Sequence, residues 1–190
     1  MPIPISDSVD AFVNRLESVL QAHLPTYIGA RSTATYPLPV PSQHAYLVAK
    51  DRNIDQISEH LGNPDVFVLM MYGPSELEDA SADLSDYNQT TDVNVVIVLR
   101  ESIGAYLPTN STGRQLLMTE WMEKRSEGYR GILQDVLPKH TVDGTNINQI
   151  RLNASGVSDP IQGETGIYRE AGVSIELTQQ VSVNVPVINP

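Results

Sequence analysis

The last segment of the chain constrains its fold more than any other. Val173, Ile175, Leu177, Val181, Val183 and Val185 are apolar at odd positions. Ser174, Glu176, Thr178, Gln180, Ser182 and Asn184 are polar at even ones, and only Gln179 breaks the apolar series. A period of two held this long gives one buried face and one wet face, the condition of a strand in an antiparallel sheet.

The remaining segments predict what covers that sheet. Val9, Phe12, Val13, Leu16, Val19, Leu20 and Leu24 recur at i, i+3, i+4, i+7 spacing. They predict a helix capped by Ser6 or Ser8 and closed by Pro25, with His23 at its negative dipole end. Ala45–Lys50 reads as a short strand. Ile54–Leu61 reads as a short helix with Asn53 as cap and Gly62 and Pro64 as its end. Val66–Tyr72 is a continuous apolar run, as in a buried strand, and Tyr87–Leu99 is a longer strand. Tyr106–Gly113 is a polar loop in which Thr109–Thr112 offers caps for the next helix. That helix, Arg114–Leu137, is the longest. It has an apolar stripe through Leu117, Trp121, Ile132 and Val136, and Pro138 ends it. Gly128 and Gly131 interrupt it, each at roughly 1 kcal/mol relative to Ala, which points to a kink or a close crossing. Asn146–Ala154 is a further strand, and Gly156–Gly166 is a glycine-rich loop.

Val66–Tyr72 and Tyr87–Leu99 can pair antiparallel through an acidic loop, and the last two strands through the glycine loop. The expected fold class is α+β: a mostly antiparallel sheet with helices packed on one face. The 190 residues suit a single domain. Between helix and first strand, Pro37, Pro39 and Pro41 alternate with other residues. Alternating prolines favour extended backbone and remove ladder donors. Residues 30–44 therefore read as an exposed extended arm, or alternatively as an ordinary connecting loop, and residues 186–190 read as a tail.

Charge narrows the function classes. Twelve Lys and Arg against 23 Asp and Glu give a net charge of −11. That disfavours affinity for nucleic acid or an anionic membrane, which needs clustered cations. The absence of cysteine excludes disulfides, thiolate catalysis and Cys-based metal sites. His23, His44, His60 and His140 show no metal-pair spacing, so no metal or other cofactor is expected. Met1–Ile5 lacks the features of a secretory signal, which makes the sequons at Asn88, Asn110 and Asn153 chance matches. No phosphate-binding loop, dinucleotide fingerprint or nucleophile elbow is present. An enzymatic alternative would rest on carboxylates such as Glu120 and Glu123. A further alternative is a monomeric protein-binding module.

From Gly73 to Asp92 there is no Lys or Arg, while Glu76, Glu78, Asp79, Asp83, Asp86 and Asp92 all lie there. The run lacks the order of a calcium loop. It reads as a solvated acidic loop able to repel a polyanion. Gly163–Gly166 has a Gly-x-x-Gly shape without basic company and reads as a hairpin tip. Tyr168–Arg169–Glu170 behind it offers polar contacts to another subunit, or forms a plain strand end.

The succession of a helix (Val9–Leu24), a sheet (Val66–Leu99), a long helix (Arg114–Leu137) and a final alternating strand (Gly172–Val185) resembles the tail-terminator and neck proteins of tailed bacteriophages. The resemblance implies a non-enzymatic structural subunit of the virion. It further implies a homo-hexameric ring that caps the tail tube, joins it to the head connector and lets DNA pass without binding it. No membrane partner is implied. On that reading, Tyr36, Pro37, Pro39, Pro41, Gly163, Glu164, Tyr168 and Arg169 are candidates for contacts between subunits. Glu76, Glu78, Asp79, Asp83 and Asp86 are candidates for lining the channel.

Overall fold

The computed structural model describes residues 5–49, 53–79, 86–102, 107–109, 112–140 and 149–182, with backbone alone at 5–8, 77–79, 86–87 and 180–182. The elements in chain order are α1 (Ile5–Arg31), β1 (Tyr46–Ala49), α2 (Ile54–His60), β2 (Val66–Asp79), β3 (Asp86–Glu101), α3 (Met118–His140), β4 (Gln149–Val157), β5 (Ile161–Gln162) and β6 (Ile167–Ser182). The strands form one sheet in the order β1-β2-β3-β6-β4, with β5 beside β6. β1 runs parallel to β2, and the other pairs are antiparallel. The α+β class and the mostly antiparallel sheet are as the sequence predicts.

The sheet's two faces differ. Even positions of β2 up to Met70 and odd positions of β3 and β6 pack under α1 and α3. The two long helices thus share one face, as expected. α2 lies on the other, where Ile54 meets Phe67, Leu69, Val96, Val98 and Tyr168. Asn53 caps α2 as predicted, its side chain accepting from the Gln56 N–H. Val173, Ile175 and Leu177 are buried on the helix side. The odd series then meets a polar row: Thr91 and Gln179 are also buried, and Gln179 stands opposite Gln89. Beyond this row the register continues the odd series to Val181, opposite Tyr87. Val183 and Val185 lie outside the described residues.

Four helix ends differ from expectation. α1 begins at Ile5, so Ser6 and Ser8 lie within its first turn instead of capping it. α1 runs through Pro25 to Arg31, because Leu24 and Ile28 continue its buried stripe while Pro25 stays at the surface. Losing one N–H bond there costs less than exposing that stripe. His23 is therefore mid-helix. α3 likewise passes Pro138 and ends at His140. It starts at Met118, not Arg114, since Thr109 bridges Gln115 and the Leu116 N–H donates to the Pro108 carbonyl. Those bonds hold Gln115 and Leu116 outside the helix, and Leu117 is 63% exposed; the cap expected within Thr109–Thr112 falls partly outside the described residues.

The expected acidic loop is mostly ladder. β2 extends to Asp79 and β3 starts at Asp86, and their register resumes at Ser75–Thr91 after an irregularity at Tyr72–Ser75. A Cβ at Gly73 would lie 2.7 Å from the Asp92 Cβ, so this close approach requires glycine. Because β6 pairs with β3 as far as Ser182, opposite Asp86, the ribbon has three strands along its described length.

The proline-rich segment is not a free arm. It lies along α3, held by three side chains one helical turn apart. Trp121 Nε1 donates to the Thr35 carbonyl (3.1 Å), Arg125 Nε to Pro37 (2.7 Å) and the Tyr129 hydroxyl to Pro39 (2.6 Å). Two residues of extended, proline-rich backbone advance about 6.2 Å, and four helical residues advance about 6.0 Å. The alternating prolines therefore match an i, i+4, i+8 row on the helix. Leu38 is buried between these bonds, and a Cβ at Gly128 would lie 3.2 Å from its side chain. Gly131 similarly faces the Arg31 guanidinium. The two glycines serve the close crossing foreseen for them. Arg125 also stacks on Trp121, 4.2 Å from the ring centroid, and forms a buried ion pair with Glu101 of β3.

Two outcomes follow. Ile175→Ala is expected to cost about 2–5 kcal/mol and Ser174→Ala far less; equal shifts in thermal melts would contradict the assigned faces. Arg125→Ala, which strands Glu101 and frees the strap, is expected to cost about 3–5 kcal/mol, and Tyr129→Phe about 1 kcal/mol, in urea unfolding.

Candidate functional site

Among the described residues, the sheet face opposite α1 and α3 is covered by α2 only at one end. Toward the ribbon it is open and acidic, and the register explains why. Asp92 on β3 stands opposite Glu176 on β6, which stands opposite Arg151 on β4. The next row contains Glu76, Thr90, Thr178 and Gln149. Positions 78 and 88, then 86 and 182, continue the same alternation toward the tip. Glu76, Glu78, Asp86, Asp92 and Glu176 thus belong to one set of rows, with Arg151 as the cation among them.

Like charges on directly opposed strands are destabilising. The Asp92–Glu176 juxtaposition therefore works against the sheet that contains it. Nearer α2 the exposed rows carry mostly small side chains, with Glu170 as the one charged residue lining the cavity there. This shallow cavity, of about 390 Å³, lies between Asn94, Gly156, Ser158, Gly172 and Ser174.

Of the acidic positions expected to line a channel, Glu76, Glu78 and Asp86 fall in the open rows. Asp79 pairs with Tyr87 in the opposite rows, and Asp83 lies outside the described residues. Asp92 and Glu176 complete the face. Glu176 was visible in the sequence only as a polar member of the final alternation, since nothing local announces its pairing with Asp92.

The subunit-contact candidates divide. Tyr168 and Arg169 are buried within the chain, which corrects their reading as contacts to another subunit. The Tyr168 hydroxyl bonds Thr165 Oγ1 (2.6 Å). Arg169 donates to the carbonyls of Ser158 (2.9 Å) and Thr119 (3.2 Å). Both begin a strand flanked on either side, so their polar atoms serve to tie the sheet to α3 and the glycine loop. Pro41 is also buried, while Tyr36 and Pro39 are half-buried and Pro37 exposed along the strap. Gly163 and Glu164 form a hairpin tip, as expected, with the Gly163 N–H donating to the Gly166 carbonyl (2.9 Å). That tip is fastened to α2 where the Glu164 N–H donates to Asp55 Oδ2 (3.3 Å).

The carboxylates of the enzymatic alternative lie three residues apart in the first turns of α3, each beside a different arginine. Glu120 pairs with Arg114 at 2.8 Å, and Glu123 lies 3.9 Å from Arg169. Among the described residues no group of three or more potential ligands could hold a metal ion. His23 and His140 do meet, stacked with ring centroids 3.7 Å apart and planes 13° from parallel. Parallel rings aim their lone pairs in parallel planes, not at one point. The Tyr27 hydroxyl lies 3.1 Å from His140 Nε2, so the cluster joins α1 to the last turn of α3.

No family model matches this sequence, and no curated protein matches it.

Desolvation, followed by the nearby charges of His23 and Lys139, holds the His140 pKa below its ordinary value of 6.5. The folded chain thus takes up this proton less readily than the unfolded chain. The associated stability is complete above the ordinary histidine range and is lost as pH falls through the lowered value. Between about pH 7 and 5, urea midpoints of the wild type are expected to fall more steeply than those of His140→Gln. Parallel curves would remove the histidine stack from the pH response.

Proposed function

We propose that this chain is a structural subunit of a tailed-bacteriophage neck: a tail terminator that assembles as a homo-hexameric ring in the virion. The ring caps the tail tube, meets the head connector and passes DNA through its lumen. The observation that carries this reading is the acidic set of rows at the ribbon end of the sheet, where Glu76, Asp92 and Glu176 share the face opposite the long helices and positions 78 and 86 continue the same register. A face that accumulates like charge against its own stability suits a surface that must not adhere to phosphate. Six copies around an axis would present it repeatedly to a passing duplex. Exposed charge is screened beyond about 8 Å at physiological salt, so the face acts only if it borders the lumen closely. The element order supports the same reading: an N-terminal helix and a long internal helix on one face of a sheet whose last strand is long and central.

Negative-stain imaging and light scattering at high concentration, with and without tail tubes, test the assembly. Rings or capped tube ends are expected, and a strict monomer in both conditions would overturn the proposal. Asp86→Lys combined with Asp92→Lys is expected to leave ring assembly intact while making the ring retain duplex DNA at low salt. Rings that pass DNA as the wild type does at every salt concentration would remove the channel role from this face.

A further inference from the structure

Two edges of the sheet have no strand partner among the described residues. On one side, β1 covers β2 only at Val68–Met71, so Ser75–Asp79 runs on with β3 as its one neighbour. On the other side, β4 pairs with β6 alone, and most of its residues are exposed. A free edge presents unpaired N–H and C=O groups and is a template for another strand.

These edges complement each other face by face. On β4, Ile150 and Leu152 stand opposite Leu177 and Ile175 in the helix-covered rows, and Arg151 stands opposite Glu176 in the open rows. Leu152 is 37% exposed, and with Ile150, Leu137 and Pro138 it walls a shallow groove of about 430 Å³. On β2 the order is inverted. Positions 76 and 78, both Glu, belong to the open rows opposite Thr90 and Asn88, and position 77, Leu, belongs to the helix-side row opposite Gln89. Arg151 is the only charge on β4, whereas Ser75–Asp79 has three acids and no base.

We infer that the β2 edge of one copy adds to the β4 edge of a second copy, continuing the sheet across the subunit junction. With helix faces kept on the same side, the helix-side row of the β2 edge adjoins the row of Ile150 and Leu152, and the open row of Glu76 adjoins that of Arg151. Backbone pairing gives the affinity, and the alternating side chains fix the register. The two edges lie on opposite sides of the sheet, so the contact is heterologous and propagates until a rotation closes it. This junction rests on the ring reading above and names the surfaces that would build the ring.

Sedimentation at low salt tests it. Arg151→Glu, and separately Glu76→Lys with Glu78→Lys, are each expected to weaken self-association by about tenfold or more, because like charges then face one another. Combining all three substitutions is expected to restore it. The chain has no cysteine, so introduced pairs report cleanly. Oxidising Glu76→Cys/Arg151→Cys or Glu78→Cys/Arg151→Cys is expected to give a covalent ladder beyond the dimer from whichever pair is directly opposed. Wild-type rings with charge variants that associate normally, or cross-links that stop at dimers, would overturn the junction and leave the ring reading standing. A wild type that stays monomeric at high concentration and at tube ends would overturn both.

Discussion

β3 and β6 share an unbroken antiparallel register from Asp86–Ser182 to Glu101–Ile167, and every other element takes its position from that pair. β2 adds on one side and β4 on the other. The odd rows of the pair form the floor on which α1 and α3 rest, and the even rows form the open face. Antiparallel pairing over this length fixes side-chain direction at each position, since a slip of one residue would turn the apolar rows to solvent. The same rigidity gathers the acidic positions. Asp92 and Glu176 are far apart in sequence and are brought together by pairing alone.

The second organising contact is polar. Arg125 joins three layers at once: its Nε holds the Pro37 carbonyl, its guanidinium pairs with Glu101 on the sheet, and its plane lies over Trp121. A buried ion pair of this kind contributes little net stability against an apolar substitute, yet breaking one half is costly. Its effect is to tie strap, helix and sheet into one unit at the end of the core opposite the ribbon.

What the sequence made legible follows from how local each signal is. The alternation of β6, the apolar run of β2, the Asn53 cap and the glycine crossings on α3 are visible because each is written within a few neighbouring residues. The helix ends were misjudged where tertiary burial outweighs a local rule: Pro25 and Pro138 break one bond each, but Leu24 and Ile28 in α1, and Val136 and Leu137 in α3, are buried. The β3 side of the ribbon is legible as the strand from Tyr87, but the extension of β2 from Gly73 to Asp79 is not, because its Ser and Glu residues carry no apolar alternation and the pairing comes from β3. Tyr168 and Arg169 looked like surface residues by type, and only the neighbouring strands and α3 show that their polar atoms are used internally. The acidic face was legible in part, as a charge run. Its membership depends on a register that sequence spacing does not contain.

The strap and α3 behave as two rulers laid side by side, one graduated in pairs of extended residues and one in helical turns. Coincidence at Thr35–Trp121, Pro37–Arg125 and Pro39–Tyr129 means the segment's length is quantised. Removing one residue between Thr35 and Pro39 would not shorten the strap smoothly. It would turn the downstream carbonyls away from their donors, leaving the Arg125 and Tyr129 contacts to be remade a half-step out of phase. Change in this segment is therefore permitted at exposed side chains such as Pro37 and Val40 and in steps of two residues, but not in single insertions or deletions. The connection between α1 and β1 is in this sense a gauge block, which sets the distance between the N-terminal helix and the first strand.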